Sequence, residues 1–324
     1  MTKCYKAIVI LILFITVGCA VNTTEPPEQK PPASGGAAVL PEAEAIYQVA
    51  YIAADNEVYL HNTQTGEVQA IYTSAEPLDI IIPNPTMKVI ALTTKDGSVK
   101  IYDCDSQLEL DICQLESVMP LISWSPDGCY LMIYQPSGNW GSAIIYDFVN
   151  NLICSNIMTI GEPIWNPDSN RICTNIPEQV DPPVPYGDGQ SSSVVVYNLA
   201  DNLTNTILKG DDKNLYRPLK WLAADIIAFE QVNMENASEE IYQMELNSAE
   251  RTNISDRVHD LLYTPIEAPS MFYNYQYFEF TPDNKYALLC TVEEDFSKID
   301  LWNAETEEVT ELAEGYCASW VSWK

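Results

Sequence analysis

One phrase recurs along the chain, and a recurring phrase constrains a fold more tightly than any single motif. It is clearest at Ser123-Trp124-Ser125-Pro126-Asp127-Gly128, which runs into the apolar stretch Tyr130-Leu131-Met132-Ile133. It returns as Ile164-Trp165-Asn166-Pro167-Asp168, Lys220-Trp221-Leu222-Ala223-Ala224-Asp225 and Glu279-Phe280-Thr281-Pro282-Asp283-Asn284. A second phrase, apolar then aromatic then polar, alternates with the first. Its members are Leu60-His61-Asn62, Ile101-Tyr102-Asp103, Ile145-Tyr146-Asp147, Val196-Tyr197-Asn198, Met244-Glu245-Leu246 and Leu301-Trp302-Asn303. Centred on positions 61, 102, 146, 197, 245 and 302, these copies recur about every 40 residues, with insertions in the later ones.

Each unit reads as several short strands. In the third, strand a is Leu121 to Ser125, and Pro126-Asp127-Gly128 is a turn in which proline presets φ and glycine accepts φ > 0. Strand b is Tyr130 to Tyr134, strand c Ser142 to Tyr146 and strand d Leu152 to Asn156, all apolar or β-branched and separated by turn residues. No helical periodicity is sustained after the N-terminal segment. The expected fold is therefore all-β, a six-bladed β-propeller of four-stranded blades over residues 45–324. A closed ring must hide its first and last edges. The final Ala318-Ser319-Trp320-Val321-Ser322-Trp323 reproduces strand a, with Trp323 expected in the place of Trp124, while the first unit begins at Tyr47 to Ala53 with what reads as strand b. The last strand is thus expected to complete the first blade.

The Trp-Ser-Pro-Asp-Gly phrase followed by Ile-Tyr-Asp is similar to the repeats of bacterial TolB-like and WD-repeat-like propellers. The resemblance covers roughly residues 45 to 324, but the phrase is degenerate at Ile82-Pro83-Asn84-Pro85 and lacks its proline at Leu222-Ala223-Ala224. It implies a fold, not an activity, because such repeats serve many functions.

The N-terminus carries Lys3 and Lys6, an apolar stretch from Ala7 to Val17, then Gly18-Cys19. Residues 1–18 read as a secretory signal, too short for a spanning helix of about 20 residues. Cys19 resembles the lipidated cysteine of bacterial lipoproteins, although Thr16 and Val17 depart from that pattern. Residues 19–44, rich in proline, glycine, alanine and glutamate, would form a tether of roughly 25 to 30 Å. The expectation is an extracytoplasmic protein that meets the membrane only through its lipid.

With 16 basic and 46 acidic residues the chain carries a net charge of −30, which repels nucleic acid and anionic headgroups. Beyond Cys4 and Cys19 remain Cys104, Cys113, Cys129, Cys154, Cys173, Cys290 and Cys317, an odd set without zinc-site spacing. They read as small strand residues, one disulfide remaining open. Only His61 and His259 are present, and His61 sits in the slot filled elsewhere by Tyr102, Tyr146, Tyr197 and Trp302. The chain has no nucleophile elbow, His-Glu-x-x-His, phosphate loop or EF-hand loop. No cofactor is implied. A calcium would find its best loop carboxylates at Asp188 and at Asp211-Asp212.

In a four-stranded blade the b-to-c loops and d-to-a connections emerge on one face, and the a-to-b and c-to-d turns on the other. The long segments Pro177 to Ser193 and Ile254 to Tyr275, with the b-to-c segments Gln135 to Gly141 and Asn233 to Glu239, all belong to the first face. That face would gather Trp140, Tyr186, Asp188, His259, Phe272, Tyr273 and Tyr275, and aromatic residues supply large contact area at low entropic cost. The functional expectation is a monomeric, non-catalytic module that binds an envelope protein, peptide or glycan. The alternative is an envelope enzyme of lyase, cyclase or lactonase type using acidic residues, with or without calcium, near the channel.

Overall fold

The computed structural model describes residues 47–53, 56–115, 120–137, 140–179, 190–211, 213–257, 275, 277–292 and 297–323, and residues 45–324 form one compact unit. The described strands assemble into six four-stranded antiparallel sheets. Blade 1 begins with β1 (Gln48–Ile52), β2 (Glu57–Asn62) and β3 (Val68–Thr73). Blade 2 is β4 (Leu78–Pro83), β5 (Val89–Thr94), β6 (Ser98–Asp103) and β7 (Leu108–Gln114). Blade 3 is β8 (Leu121–Trp124), β9 (Tyr130–Ser137), β10 (Trp140–Asp147) and β11 (Leu152–Thr159). Blade 4 is β12 (Ile164–Trp165), β13 (Arg171–Gln179), β14 (Gln190–Asn198) and β15 (Leu203–Leu208). Blade 5 is β16 (Asn214–Ala223), β17 (Ile226–Asn233), β18 (Ser238–Glu245) and β19 (Arg251–Asn253). Blade 6 is β20 (Tyr277–Phe280), β21 (Tyr286–Val292), β22 (Ser297–Asn303) and β23 (Val309–Glu314), and β24 (Tyr316–Val321) returns to pair with β1. The chain is a six-bladed β-propeller whose last strand supplies strand a of the first blade.

Register corrects two residue assignments. Trp124 faces Leu131 across strands a and b, and the equivalent pair in blade 1 is Trp320 with Val49. Trp320, not Trp323, therefore stands in the place of Trp124. Tryptophan alone cannot set a register when two copies lie three residues apart; the ladder does. Likewise Met244, opposite Ile227, and not Glu245, fills the strand-c slot occupied by Tyr102 opposite Ile90.

The tryptophan phrase has a mechanical meaning. Each strand-a indole donates its N–H to a strand-a carbonyl of the preceding blade. Trp124 donates to Ile82 at 3.0 Å, Trp221 to Ile164 at 3.2 Å and Trp320 to Glu279 at 2.9 Å, while Trp165 donates to the Ser123 hydroxyl at 3.2 Å. Blade 2 has Pro83 at this position and cannot donate. There the seam is tied in the other direction, by Trp323 to the Asn84 carbonyl at 2.9 Å, Ser322 to Pro85 at 2.6 Å and Tyr316 to Leu78 at 2.9 Å.

Between these ties the seams are apolar. One cluster joins Ile52, Val58 and Val321 of blade 1 to Ile81 and Leu92 of blade 2, and another joins Ile101 of blade 2 to Trp124 and Ile133 of blade 3. Comparable clusters join blades 3 and 4, 4 and 5, and 6 and 1. Burial of such side chains stabilises the fold by about 25 cal/mol per Å2.

The second phrase builds the c-to-d turns. Asn62 accepts the N–H groups of Gln64 and Thr65, Asp103 those of Asp105 and Ser106, and Asn303 those of Glu305 and Thr306. A polar residue is therefore required after the aromatic. The aromatic itself is packed inside, and His61 shares that role: burial lowers its pKa, and its Nδ1 is buried without a partner.

Replacing Trp124 with phenylalanine keeps an aromatic ring and removes the N–H donor at the blade 2–3 seam. We expect a loss of about 1–3 kcal/mol in urea unfolding. An unchanged midpoint would show that the seam is held by apolar packing alone.

Candidate functional site

The two faces of the disk differ in construction. On the a-to-b side, adjacent turns bond to one another. Asn84 Nδ2 donates to the Gly128 carbonyl at 2.8 Å, the Asp127 N–H donates to Ser169 at 2.9 Å, and Arg171 donates to the Ala224 carbonyl at 2.8 Å and to Asp225 at 2.9 Å. Gly128 has φ +75°, and a Cβ there would lie 2.3 Å from Asn84 Oδ1, so the contact between turns requires glycine. Variation on this face is costly. On the b-to-c side the strands simply run on. Strands b and c have 5 and 6 residues in blade 1, 6 each in blade 2 and 7 each in blade 6, but 8 each in blades 3 and 5 and 9 each in blade 4. Three consecutive blades thus raise paired ribbons above the ring.

The b-to-c segments of blades 3 to 5, expected as loops, are paired ribbon where they are described, and residues 180–189 lie outside the described residues. Gln135 pairs with Ser142, and Ser137 with Trp140, so that segment is a tight hairpin. Pro177 pairs with Ser192 and Gln179 with Gln190, extending the blade 4 ribbon to both ends of the insertion. Val232 pairs with Glu239 and Asn233 with Ser238. β-Branched residues and serine favour the pleated conformation, and an antiparallel ladder satisfies backbone groups that a loop would leave to water.

Of the sequence-predicted site residues, Trp140 opens β10 at the tip of the blade 3 ribbon. Tyr275 lies under blade 6: its ring joins the cluster of Ala287, Leu289 and Trp302, and its hydroxyl donates to Asp300 at 3.3 Å. Tyr186, Asp188, His259, Phe272 and Tyr273 lie outside the described residues, as does Cys19.

The same face holds a cavity of about 350 Å3 at the seam of blades 4 and 5. Glu162, Asn175, Ser192, Arg217, Pro218 and Leu219 line it. Its floor is polar, beside the apolar cluster that joins the same two blades. Asn175 Nδ2 donates to the Tyr216 carbonyl at 2.9 Å, Ser192 donates to the same oxygen at 3.1 Å, and both side chains are buried. Arg217 pairs with Glu230 at 3.0 Å. Glu162 enters from the connection between blades 3 and 4, and burial alone pushes its carboxyl above the ordinary range. A carboxylate lining a cavity, without a cation partner among the described residues, favours a ligand that brings one.

Sequence reasoning missed these residues. The signal was polar interruption of an apolar strand, Thr174-Asn175 within Ile172 to Ile176 and Ser191-Ser192-Ser193 before Val194. A second carboxyl, Glu279, lies at the blade 6–1 seam. Burial raises its pKa, and hydrogen bonds from Ser319, Tyr277 and the Trp320 N–H pull it back.

The calcium candidate Asp211 serves the backbone. It accepts N–H bonds from Lys213 at 2.8 Å and Asn214 at 2.7 Å, which outweigh burial and lower its pKa. Asp212 lies outside the described residues. Among the described residues no group of three or more His, Cys, Asp or Glu is placed to hold a metal ion. All seven described cysteines are unpaired, and burial pushes the Cys104 and Cys317 thiols up to about 12. Such thiols remain protonated and inert.

No family model matches the chain, and no curated protein matches it. Solved structures similar to it include TolB from Acinetobacter baumannii, at 13% identity over 86% of this chain and 67% of that one, with a TM-score of 0.43. The β-propeller domain of the Trilobed protease from Pyrococcus furiosus is 12% identical over 83% and 81% of the two chains, with a TM-score of 0.46. An oligogalacturonate lyase from Vibrio parahaemolyticus is 11% identical over 84% and 79%, with a TM-score of 0.43. The fold itself rests on the six sheets of this chain.

The raised pKa of Glu162 carries a sign. Ionising the carboxyl costs more in the folded state than in the unfolded one, so its contribution to stability is fully present below the unfolded value of 4.5 and is lost as pH rises through the folded value. Glu162→Gln should match the parent protein below pH 4.5 and become the more stable of the two as pH rises above it, measured by urea unfolding across pH. A difference independent of pH would show that the carboxyl is fully solvated.

Proposed function

We propose that this protein is a recognition module of the bacterial envelope, exported and held by a lipid on Cys19, which binds a polypeptide on the b-to-c face of blades 3 to 5. One observation carries the reading: the b and c strands of three consecutive blades run on toward that face, beside a cavity lined by Glu162, whose carboxyl pairs with no cation among the described residues. Paired ribbon next to a pocket suits an extended chain, with the pocket taking one anchoring side chain. Glu162, without a partner among the described residues and in a chain of net charge −30, favours a lysine or arginine as that anchor.

Tyr47, the first described residue, packs edge-on against Tyr286 and Trp320 and donates to Asp283, in the a-to-b turn of blade 6. The chain thus joins the disk on the locked face, opposite the ribbons.

The test is affinity capture of the tagged full-length protein from cross-linked envelopes, beside the double variant Glu162→Gln, Arg217→Ala. We expect a discrete envelope polypeptide with the parent protein, and at least about tenfold less with the variant, equivalent to about 1.4 kcal/mol. Capture should also weaken as pH falls and Glu162 takes up its proton. Equal capture by both proteins would refute this face as the binding site.

A further inference from the structure

A second cavity, of about 410 Å3, opens on the opposite, locked face at the seam of blades 1 and 2. Its volume lies in the range of small-ligand sites. Leu60 and Ile71 of blade 1 and the ring of Trp323 give it apolar walls, and the Trp323 N–H is already committed to the Asn84 carbonyl at 2.9 Å. The indole is therefore fixed in position and offers only its ring surface. Cys104 contributes a thiol that burial keeps protonated, its pKa pushed up to about 12.

The polar groups set the ligand class. Gln48 from β1, Gln69 from β3 and Gln107 from the c-to-d turn of blade 2 all line the cavity. Among the described residues none of these three carboxamides has a hydrogen-bond partner. The charged lining groups, Lys88 and Asp105, lie 3.7 Å apart and offset each other. The cavity thus carries no net charge inside a strongly acidic molecule, which disfavours both an anion and a cation as its ligand. Carboxamides donate and accept in one plane, matching neighbouring hydroxyls, each of which also does both. A fixed aromatic face suits the weakly positive C–H face of a saturated ring.

We infer that the seam of blades 1 and 2 is a saccharide subsite, in which one neutral pyranose unit stacks on Trp323 and hydrogen-bonds to Gln48, Gln69 and Gln107. The inference is independent of the polypeptide reading, because the two sites lie on opposite faces and share no residue. A glycan bound here would hold the locked face close to a polysaccharide layer and leave the ribbons free.

The experiment is saturation-transfer NMR on the full-length protein with two uncharged trisaccharides, maltotriose and the β-1,4 trimer of N-acetylglucosamine. Tryptophan fluorescence is titrated in parallel. For a single subsite we expect saturable binding of one of them at about 1 mM. The double variant Gln69→Ala, Gln107→Ala should weaken it at least tenfold, and because both residues are exposed and unpartnered, its unfolding midpoint should not move. Trp323→Phe should retain weaker binding while losing the fluorescence change. No saturable binding of either sugar, or equal binding by the double variant, would overturn the inference. So would a photo-cross-linker at position 107 reacting with residues before 45, which would assign the cavity to the chain's own leading segment.

Discussion

Everything in this molecule depends on how each blade holds the next, because a four-stranded sheet with two apolar faces has no stability alone. The tie that recurs is an indole N–H reaching from strand a to a strand-a position of the blade before it, at the seams before blades 1, 3, 4 and 5. It directs and spaces the sheets while the apolar clusters between them supply most of the free energy. β24 carries one of these indoles and also pairs with β1, so the last strand is a member of the first blade and a tie to the sixth at once. Where Pro83 removes the donor, Trp323, Ser322 and Tyr316 bond in the reverse direction.

Tying the ring at the a-to-b turns has a functional consequence. Those turns touch their neighbours through Asn84, Ser169 and Arg171, so a change in one propagates to the next. Among the described residues the b-to-c hairpins have fewer ties to their neighbours, chiefly Asn175 and Ser192 to the Tyr216 carbonyl. They can lengthen without disturbing the ring, and in blades 3 to 5 they have done so. The polar seam of Asn175 and Ser192 falls beside this wall. Asn175 and Ser192 bring polar groups to the ribbon end of a seam whose remainder is apolar, and the pocket lies there.

The repeat made the architecture legible in the sequence. Two phrases with a turn chemistry each, proline-aspartate-glycine and aromatic-aspartate, located most strands and anticipated closure by the C-terminal strand. Register was less legible: Trp320 and Trp323 are equivalent by composition, and only the pairing with Val49 chooses between them. Met244 and Glu245 were confused for the same reason, since Met244 lacks the aromatic character of the slot. The site was legible as a face but not as residues. Aromatic content drew attention to Tyr275, which spends its ring on blade 6, whereas Glu162 and Asn175 matter only because two sheets bring them together. A contact between blades leaves no local signal in either.

The most direct test of the account is site-specific photo-cross-linking in intact envelopes, with the reactive residue placed in turn at Ser137 and Glu235 on the ribbon side and at Asp168 and Glu305 in turns of the locked face. The account predicts cross-links to one common polypeptide from Ser137 and Glu235 and none to it from Asp168 or Glu305. Cross-links to that polypeptide from the locked face, with the ribbons silent, would contradict it.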